Sequence, residues 1–311
     1  MAIDSLYTAW VKANYPIEFY EVVLDMFSED KNTEKVALLK NEAFRYKGIT
    51  VPTMRYGQNN TKFTANSEAN EIYQSMMSVK AINKNTSELI YEISKEHGNP
   101  KSFFELYLIM KEKGLSKTHI ANLSKIGYFI DIEPNKRKSL WLCNNYDKFN
   151  KKQLKKDKID DFYKELGVNC SIIDFYNKLK KLSLKETPKQ LTFNEGVLVD
   201  YIYSLVNINS DDKLEEMYWE CELLGTTTDN VDETFMLGRI VKYNPSTNKI
   251  VFKHVRSGVE QWIKVNCPTH LKEKDYIFID KVSSKMYRGK EYYTAENILN
   301  LTEKYKKVVD K

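Results

Sequence analysis

Apolar positions recur at helical spacing through the first two thirds of the chain, then give way to short β-type runs. Leu6, Ala9, Trp10 and Ala13 make one helical face, broken at Tyr15-Pro16, where Pro16 suits the first turn of the next helix. That helix carries Phe19, Val22, Val23, Met26 and Phe27. A third, capped by Asn32 or Thr33, carries Val36, Leu39, Ala43 and Phe44 and stops at Gly48. Residues 49–52 and 61–64 read as short extended pieces. Between Met76 and Leu140 the pattern predicts short amphipathic helices marked by Leu89, Ile90 and Ile93, by Phe103, Phe104, Leu106, Leu108 and Ile109, and by Ile120, Leu123 and Ile126. Residues 136–189 read as helical and rich in lysine, with Phe162, Phe175 and Leu179 among the apolar positions of one packed face, and Pro188 ends them. Residues 194–233 read as helical too, closed by Gly225 and a loop.

The last block has the other period. Residues 235–241, 249–255, 259–265 and 276–282 are runs of β-branched and aromatic residues separated by turn residues, and Arg288-Gly289-Lys290 turns into a fifth run at 291–295. Five short strands within about seventy residues fit an OB-type barrel. The expected fold class is α+β and multi-domain: helical over the N-terminal two thirds, with a C-terminal five-stranded OB-type β-barrel. The segments are a helical one at 1–75, a basic helical module at 76–190, an acidic helical connector at 191–234 and the barrel at 235–311.

Within the 76–140 stretch, two polar turns, Ala81-Ile82-Asn83-Lys84 and Lys113-Gly114-Leu115-Ser116-Lys117, separate the helices, with lysines at each. Helix, tight turn, helix is the layout of a helix-hairpin-helix unit, in which turn amides and the next helix's N-terminus receive a nucleic-acid phosphate. The candidates are Lys80, Asn83 and Lys84 at the first turn and Gly114, Ser116 and Lys117 at the second. A helical bundle with solvated lysines has the same pattern.

Charge sharpens this picture. The chain's net charge is +5, but by segment it runs −2 over 1–78, +9 over 79–190, −10 over 191–234 and +8 over 235–311. Two basic blocks flanking an acidic one point to surfaces that attract a polyanion, with DNA, duplex and single-stranded, as the expected partner. On the barrel, Phe252, Trp262, Tyr287, Tyr292 and Tyr293 are available to stack on bases, and Lys249, Lys253, Arg256, Lys285, Arg288 and Lys290 to track a backbone. Half of those aromatics must instead be core. Hydrophobic residues at 42% and charged ones at 29% are ordinary for a globular chain, and no apolar run is long enough to span a bilayer. Cys143, Cys170, Cys221 and Cys267 stand far apart without zinc-ligand spacing and read as reduced thiols, which with the absence of a secretory signal implies a cytoplasmic protein.

The run AIDSLYTAWVKANYPIEFYEVVL resembles a stretch of the C-family replicative polymerases, the bacterial DNA polymerase III alpha subunits, where the pattern is roughly A-Y-x-x-x-A-Y-L-K-A-H-Y-P-x-E-F. KVALLKNEAFRYKGITV, the two-turn stretch, LSKIGYFIDI and LEEMYWECELLG follow in the family's order. The resemblance implies that the chain corresponds to the end of the fingers, the helix-hairpin-helix module and the OB-fold of such a polymerase. It also implies that the palm, with its metal-binding aspartates and Mg²⁺, sits on another chain, and that no cofactor is held here. Asp131-x-Glu133, Asp160-Asp161 and Asp211-Asp212 are the carboxylate groupings available for metal chemistry, and all read more simply as solvated surface. No G-x-x-x-x-G-K phosphate loop occurs.

Two departures from the family stand out. Its first hairpin reads K-G-V-G, whereas here Lys80-Ala81-Ile82-Asn83 stands. Asn tolerates the left-handed conformation, but Ala81 adopts it only at a cost. The family also carries a sliding-clamp peptide where this chain has Gln190-Leu191-Thr192-Phe193, one residue short of the usual form. As a clamp site, Gln190 would hydrogen-bond while Leu191 and Phe193 fill a pocket; as structure, the pair tucks into its neighbours. The implied function is the DNA-gripping portion of a split or truncated polymerase alpha-like subunit. The alternatives are a free-standing polymerase-derived DNA- or clamp-binding protein, and a helix-hairpin-helix nuclease or glycosylase.

Overall fold

In the computed structural model of the protein the described residues are 2–166, 170–208, 212–227, 236–266 and 270–309. They divide into two compact units: residues 1–54, 58–91 and 212–311 form the first, and 55–57 with 92–211 the second. The helical N-terminus and the C-terminal barrel thus share one unit. Phe235, Cys267 and Asp211 lie outside the described residues.

The first unit opens with α1 (Ala2–Asn14), α2 (Pro16–Glu29) and α3 (Thr33–Lys47). Pro16 sits at the start of α2, the Asn32 side chain caps α3 by accepting from Lys35 N, and Gly48 closes α3 in the left-handed conformation at φ +65°. Ile17, Tyr20 and Leu24 of α2 pack with Val36 and Ala43 of α3 and with Ile49, Phe63 and Ile72. The apolar face expected of α1 is not buried: Leu6 is 73% exposed, and Tyr7 and Trp10 are exposed as well. α2 and α3 close their core without α1, which touches them through Lys12, bonded to Glu42 and lying over the Phe19 and Tyr20 rings. Of the expected extended pieces, 49–52 keeps one bridge from Thr50 to Glu71 and 61–64 only Thr64, the first residue of β1 (Thr64–Asn66), which pairs antiparallel with β2 (Glu71–Tyr73), a strand not expected from sequence. A buried chain runs beneath the following residues: Lys40 donates to Gln74 Oε1 at 2.9 Å, and Gln74 Nε2 donates to Ser78 Oγ at 2.7 Å. Helix α4 (Lys84–Glu96) contains the boundary between the units.

The second unit holds α5 (Phe103–Glu112), α6 (Lys117–Lys125), α7 (Lys136–Phe149), β3 (Gln153–Lys155), α8 (Ile159–Leu166), α9 (Ile172–Leu182), β4 (Lys185–Glu186), β5 (Gln190–Thr192) and α10 (Val197–Leu205). Ser102, Ser116 and Asn135 cap α5, α6 and α7 with side-chain acceptors. Buried Phe103, Tyr107, Leu123, Phe129 and Leu142 are part of its core. The lysine run at 151–156, expected to be helical, instead supplies β3, and β5 is the middle strand of a sheet ordered β3-β5-β4. Alternation explains this: Leu154 is buried between the exposed Gln153 and Lys155.

Back in the first unit, α11 (Lys213–Leu224) precedes the strands β6 (Met236–Asn244), β7 (Lys249–His254), β8 (Glu260–Val265), β9 (Tyr276–Tyr287) and β10 (Lys290–Asn300), and α12 (Leu301–Val309) follows them. The strands close a barrel in the order β10-β8-β7-β6-β9, with β10 parallel to β8 and the other pairs antiparallel. That closed five-strand order is the OB-type barrel expected from sequence. Ile240, Ile250, Phe252, Ile263, Ile277 and Ile279 fill it. A Cβ on Gly238 would stand 2.3 Å from the Phe252 ring, so the glycine gives that ring its place. β9 and β10 run longer than expected and project as a hairpin, turned at Arg288 (φ +49°) and Gly289 (φ +72°). Among the described residues no helix is long and apolar enough to cross a membrane.

Candidate nucleic-acid interface

At the first turn, a 3-10 segment (Met76–Ser78) leads to Lys80, whose amide donates to Leu223 O at 2.9 Å. Ala81 is left-handed at φ +70°, Ile82 is buried, and Asn83 Oδ1 accepts from Thr86 N at 2.9 Å, capping α4. Asn83 therefore caps, and the strained position falls on Ala81. Lys31 holds the turn from behind, its Nζ donating to Met77 O at 2.8 Å and to Ile82 O. Burial pulls the Lys31 ammonium below the ordinary lysine pKa. The Lys80 and Lys84 side chains are exposed, with Lys80 Nζ 3.8 Å from Glu222.

The second turn is built by its own helices. Leu115 N donates to Met110 O and Gly114 N to Lys111 O, closing α5 around Gly114 at φ +89°. Leu115 is buried, and Ser116 Oγ accepts from His119 N at 3.2 Å, capping α6. Lys117 is exposed and reaches Asn144 O at 3.4 Å. Lys113 is paired with Glu96 at 2.7 Å; their hydrogen bond holds the carboxyl low and the ammonium high. Each turn thus presents exposed lysines next to a capped helix start, the arrangement that receives a phosphate.

The barrel separates its candidates. Phe252 is 1% exposed and packs with Ile250 in the barrel core, so it is no stacking platform. Trp262, at 58%, faces out, and Tyr287 and Tyr292 lie exposed on the projecting hairpin with ring centroids 6.4 Å apart. Arg288 stacks over Tyr287 at 5.2 Å, and Lys285 and Lys290 flank the pair. Tyr293 is half-buried, its hydroxyl donating to Glu291. Lys249 is exposed and sits directly across the strand pair from Lys264, a like-charge juxtaposition that a phosphate would relieve. Lys264 was not singled out from sequence, though its alternation with buried Ile263 and Val265 marks it as outward. Arg256 is half-buried, and Lys253 is committed at 3.3 Å to Glu34, which also holds Arg239 at 2.9 Å.

The clamp peptide is corrected by burial. Leu191 is 0% exposed, paired with Leu154 and Glu186 in the middle strand, and Phe193 is buried with its amide on Lys152 O. Gln190 and Thr192 keep partial exposure, so no aromatic-aliphatic pair is presented to a partner. Several of the carboxylates are engaged as well, Asp161 among them, 3.3 Å from Lys158. Asp131 pairs with Arg55 at 3.6 Å, Glu133 accepts from Tyr203 Oη at 2.8 Å, and Asp212 accepts from Tyr305 Oη at 2.7 Å. Among the described residues no group of three or more His, Cys, Asp or Glu side chains could hold a metal ion.

Residues 48–139 match the family model of the helix-hairpin-helix motif. Over 43% of its length the chain is 26% identical to DNA polymerase III subunit alpha of Caulobacter vibrioides. The same subunit of Aquifex aeolicus is 29% identical over 44% of the chain, and that of Escherichia coli K12 28% over 43%. The match spans 11% of each of these relatives. The chain is therefore similar to a helix-hairpin-helix part of DNA polymerase III subunit alpha.

Proposed function

We propose that this chain is a DNA-holding portion of a polymerase III alpha-like replicative polymerase. Its hairpin turns grip the backbone of duplex DNA, and its barrel holds a single strand, while a palm on another chain, with its Mg²⁺, carries out nucleotidyl transfer in the cytoplasm. The observation that carries this reading is the helix-hairpin-helix match at 48–139 in a chain that also contains a closed OB-type barrel. Exposed lysines at both turns, and the outward Trp262, Tyr287 and Tyr292, supply the charge and stacking surfaces that such binding uses.

The test is a fluorescence-anisotropy titration against a primed duplex with a single-stranded overhang, at several salt concentrations. Affinity should fall as salt rises, by a log–log slope of about −0.9 per duplex phosphate contact and about −0.7 per single-strand contact. Lys117→Glu should flatten the slope, and Tyr287→Ala should weaken overhang binding without changing it. Each aromatic that meets a base contributes about 1–3 kcal/mol. Absence of binding at low salt would sink the reading. So would nucleotide incorporation by the chain alone that is lost on changing Asp131→Asn and Glu133→Gln.

A further inference from the structure

Within the first unit, a cleft of about 690 Å³ lies between the first hairpin turn, the end of α11, the base of the barrel and α12. Its floor is apolar, made in part by the buried Met77, Val79 and Ile82. Its polar rim is strongly one-signed: Lys31, Lys80, Arg239, Lys274 and Lys306 line it against a single carboxylate, Glu222. These residues come from far-apart stretches of sequence, so the concentration of charge is a product of the fold. A cleft of this kind holds like charges together at an electrostatic cost that an anion relieves.

The backbone around it is unusual. Seven non-glycine residues among those described have positive φ, and three of them line this one cleft: Lys31 at +56°, Ala81 at +70° and Lys274 at +75°. L-residues adopt this conformation at a cost, and such residues cluster at ligand-binding sites. The left-handed Lys31 closes α2, with Asn32 N donating to Phe27 O at 2.9 Å. Lys31 is tied to the carbonyls of Met77 and Ile82, and the Lys274 amide donates to Ile240 O at 2.8 Å. Arg239 lies over the Tyr276 ring at 5.9 Å, one guanidinium nitrogen on Glu34, while its Nε is buried without a hydrogen-bond partner among the described residues. Lys274 and Lys306 are exposed at the opening.

We propose that this cleft binds two or more adjacent phosphate groups, extending the first hairpin turn's anion site onto the barrel and the last helix. The chemistry fits the backbone of a nucleic-acid strand or a free polyphosphate, and the volume admits either. For a strand, the inference rests on the DNA-holding role proposed above; for a free polyphosphate it does not.

The experiment compares the full chain with the double variant Lys274→Glu/Lys306→Glu and with the neutral Lys274→Gln/Lys306→Gln, thermal midpoints being checked in each. Anisotropy is measured with a single-stranded oligonucleotide, and calorimetry with inorganic tripolyphosphate. Lys117→Glu/Arg288→Glu, remote from the cleft in sequence and lining, serves as the control for the wider DNA-holding role. If a strand occupies the cleft, the glutamate pair should lower oligonucleotide affinity about tenfold or more and flatten the salt slope by about 0.7 per lost contact, the glutamine pair less. If a free polyphosphate occupies it, tripolyphosphate should bind the native chain and lose affinity in both cleft variants, whether or not the oligonucleotide does. Oligonucleotide binding lost in the control but untouched in correctly folded cleft variants, without tripolyphosphate binding, would overturn the cleft and leave the DNA-holding role standing. Tripolyphosphate binding in a chain that holds no DNA would do the reverse.

Discussion

The two hairpin turns follow one grammar position for position. Lys80 matches Lys113, left-handed Ala81 matches left-handed Gly114, buried Ile82 matches buried Leu115, Asn83 and Ser116 cap, and Lys84 and Lys117 open the next helix. They differ in what holds them. The second turn is self-sufficient, because the C-terminal bonds of α5 and a glycine at the left-handed position impose its shape locally. The first has no glycine there and no preceding α-helix to close. Beside its own Ile82 N to Val79 O bond at 3.2 Å, it draws on bonds from outside the turn: Lys31 on two carbonyls, Leu223 O on the Lys80 amide, and the buried Lys40–Gln74–Ser78 chain below. A conformation that one sequence writes locally, the other obtains from tertiary contacts.

The largest effect expected from this difference is a pH dependence that belongs to the first turn's support. Burial brings the Lys40 ammonium from an ordinary 10.5 down to about 8, with the Glu220 charge opposing the fall. A lysine lowered in the native state means that the unfolded chain binds more protons between those values. The penalty of carrying the buried charge is complete below about pH 8 and is relieved as pH rises above it. Lys40 should therefore contribute a rise from about pH 8 toward pH 10, of up to about 3 kcal/mol at roughly 1.4 kcal/mol per pH unit. Cys143 and Cys221, raised by burial from an ordinary 9, act in the opposite sense from about pH 9, and Tyr218 and Tyr276 from about pH 10. The contribution is therefore read as the difference between urea midpoints of the native chain and of Lys40→Met across this window; a difference that does not change with pH would show that Lys40 is not its source.

Much of this was open to reading in the sequence. A cap at Asn32 or Thr33 and the Gly48 stop of α3, and five barrel strands as β-branched and aromatic runs between turn residues, follow from local rules. The matching order of K-A-I-N-K and K-G-L-S-K is visible by eye once the turns are superposed. Other features were not legible. Lysine at 151–156 looks like a solvated helix, and only pairing with β5 makes it a strand. Leu191 and Phe193 have the composition of a docking peptide, but the neighbouring strands bury them. The exposed face of α1 has the same period as a buried one, because period reports geometry and not what covers it. Lys31, Lys274 and Lys306 carry no motif, and their convergence depends on non-local folding.

A second test acts on the self-sufficient turn. A Cβ at Gly114 would meet nothing within 4 Å, so Gly114→Ala isolates the cost of the left-handed backbone from any clash. The expected loss is about 1 kcal/mol, toward the lower end of the range for a left-handed L-residue, because alanine also reduces the entropy of the unfolded chain. Chemical denaturation should report it. A loss well above about 2 kcal/mol would mean that the turn's amides depend on the glycine for more than conformation.

The smallest effect is the mirror change, Ala81→Gly, and its sign decides whether the comparison is sound. If Ala81 is held at φ +70° against its own preference, glycine removes a strain of about 1–2 kcal/mol while adding about 0.5–1 kcal/mol of unfolded-state entropy. The net should be a gain of a few tenths of a kcal/mol, opposite in sign to Gly114→Ala. A loss of similar size would show that Ala81 is not strained in place, and that the first turn's tertiary holds select a backbone that alanine accepts. Hydrogen exchange at the Ala81, Ile82 and Asn83 amides separates these outcomes. Relief of strain leaves the turn closed and its protection intact, whereas a loosened turn exchanges faster even where global stability is unchanged.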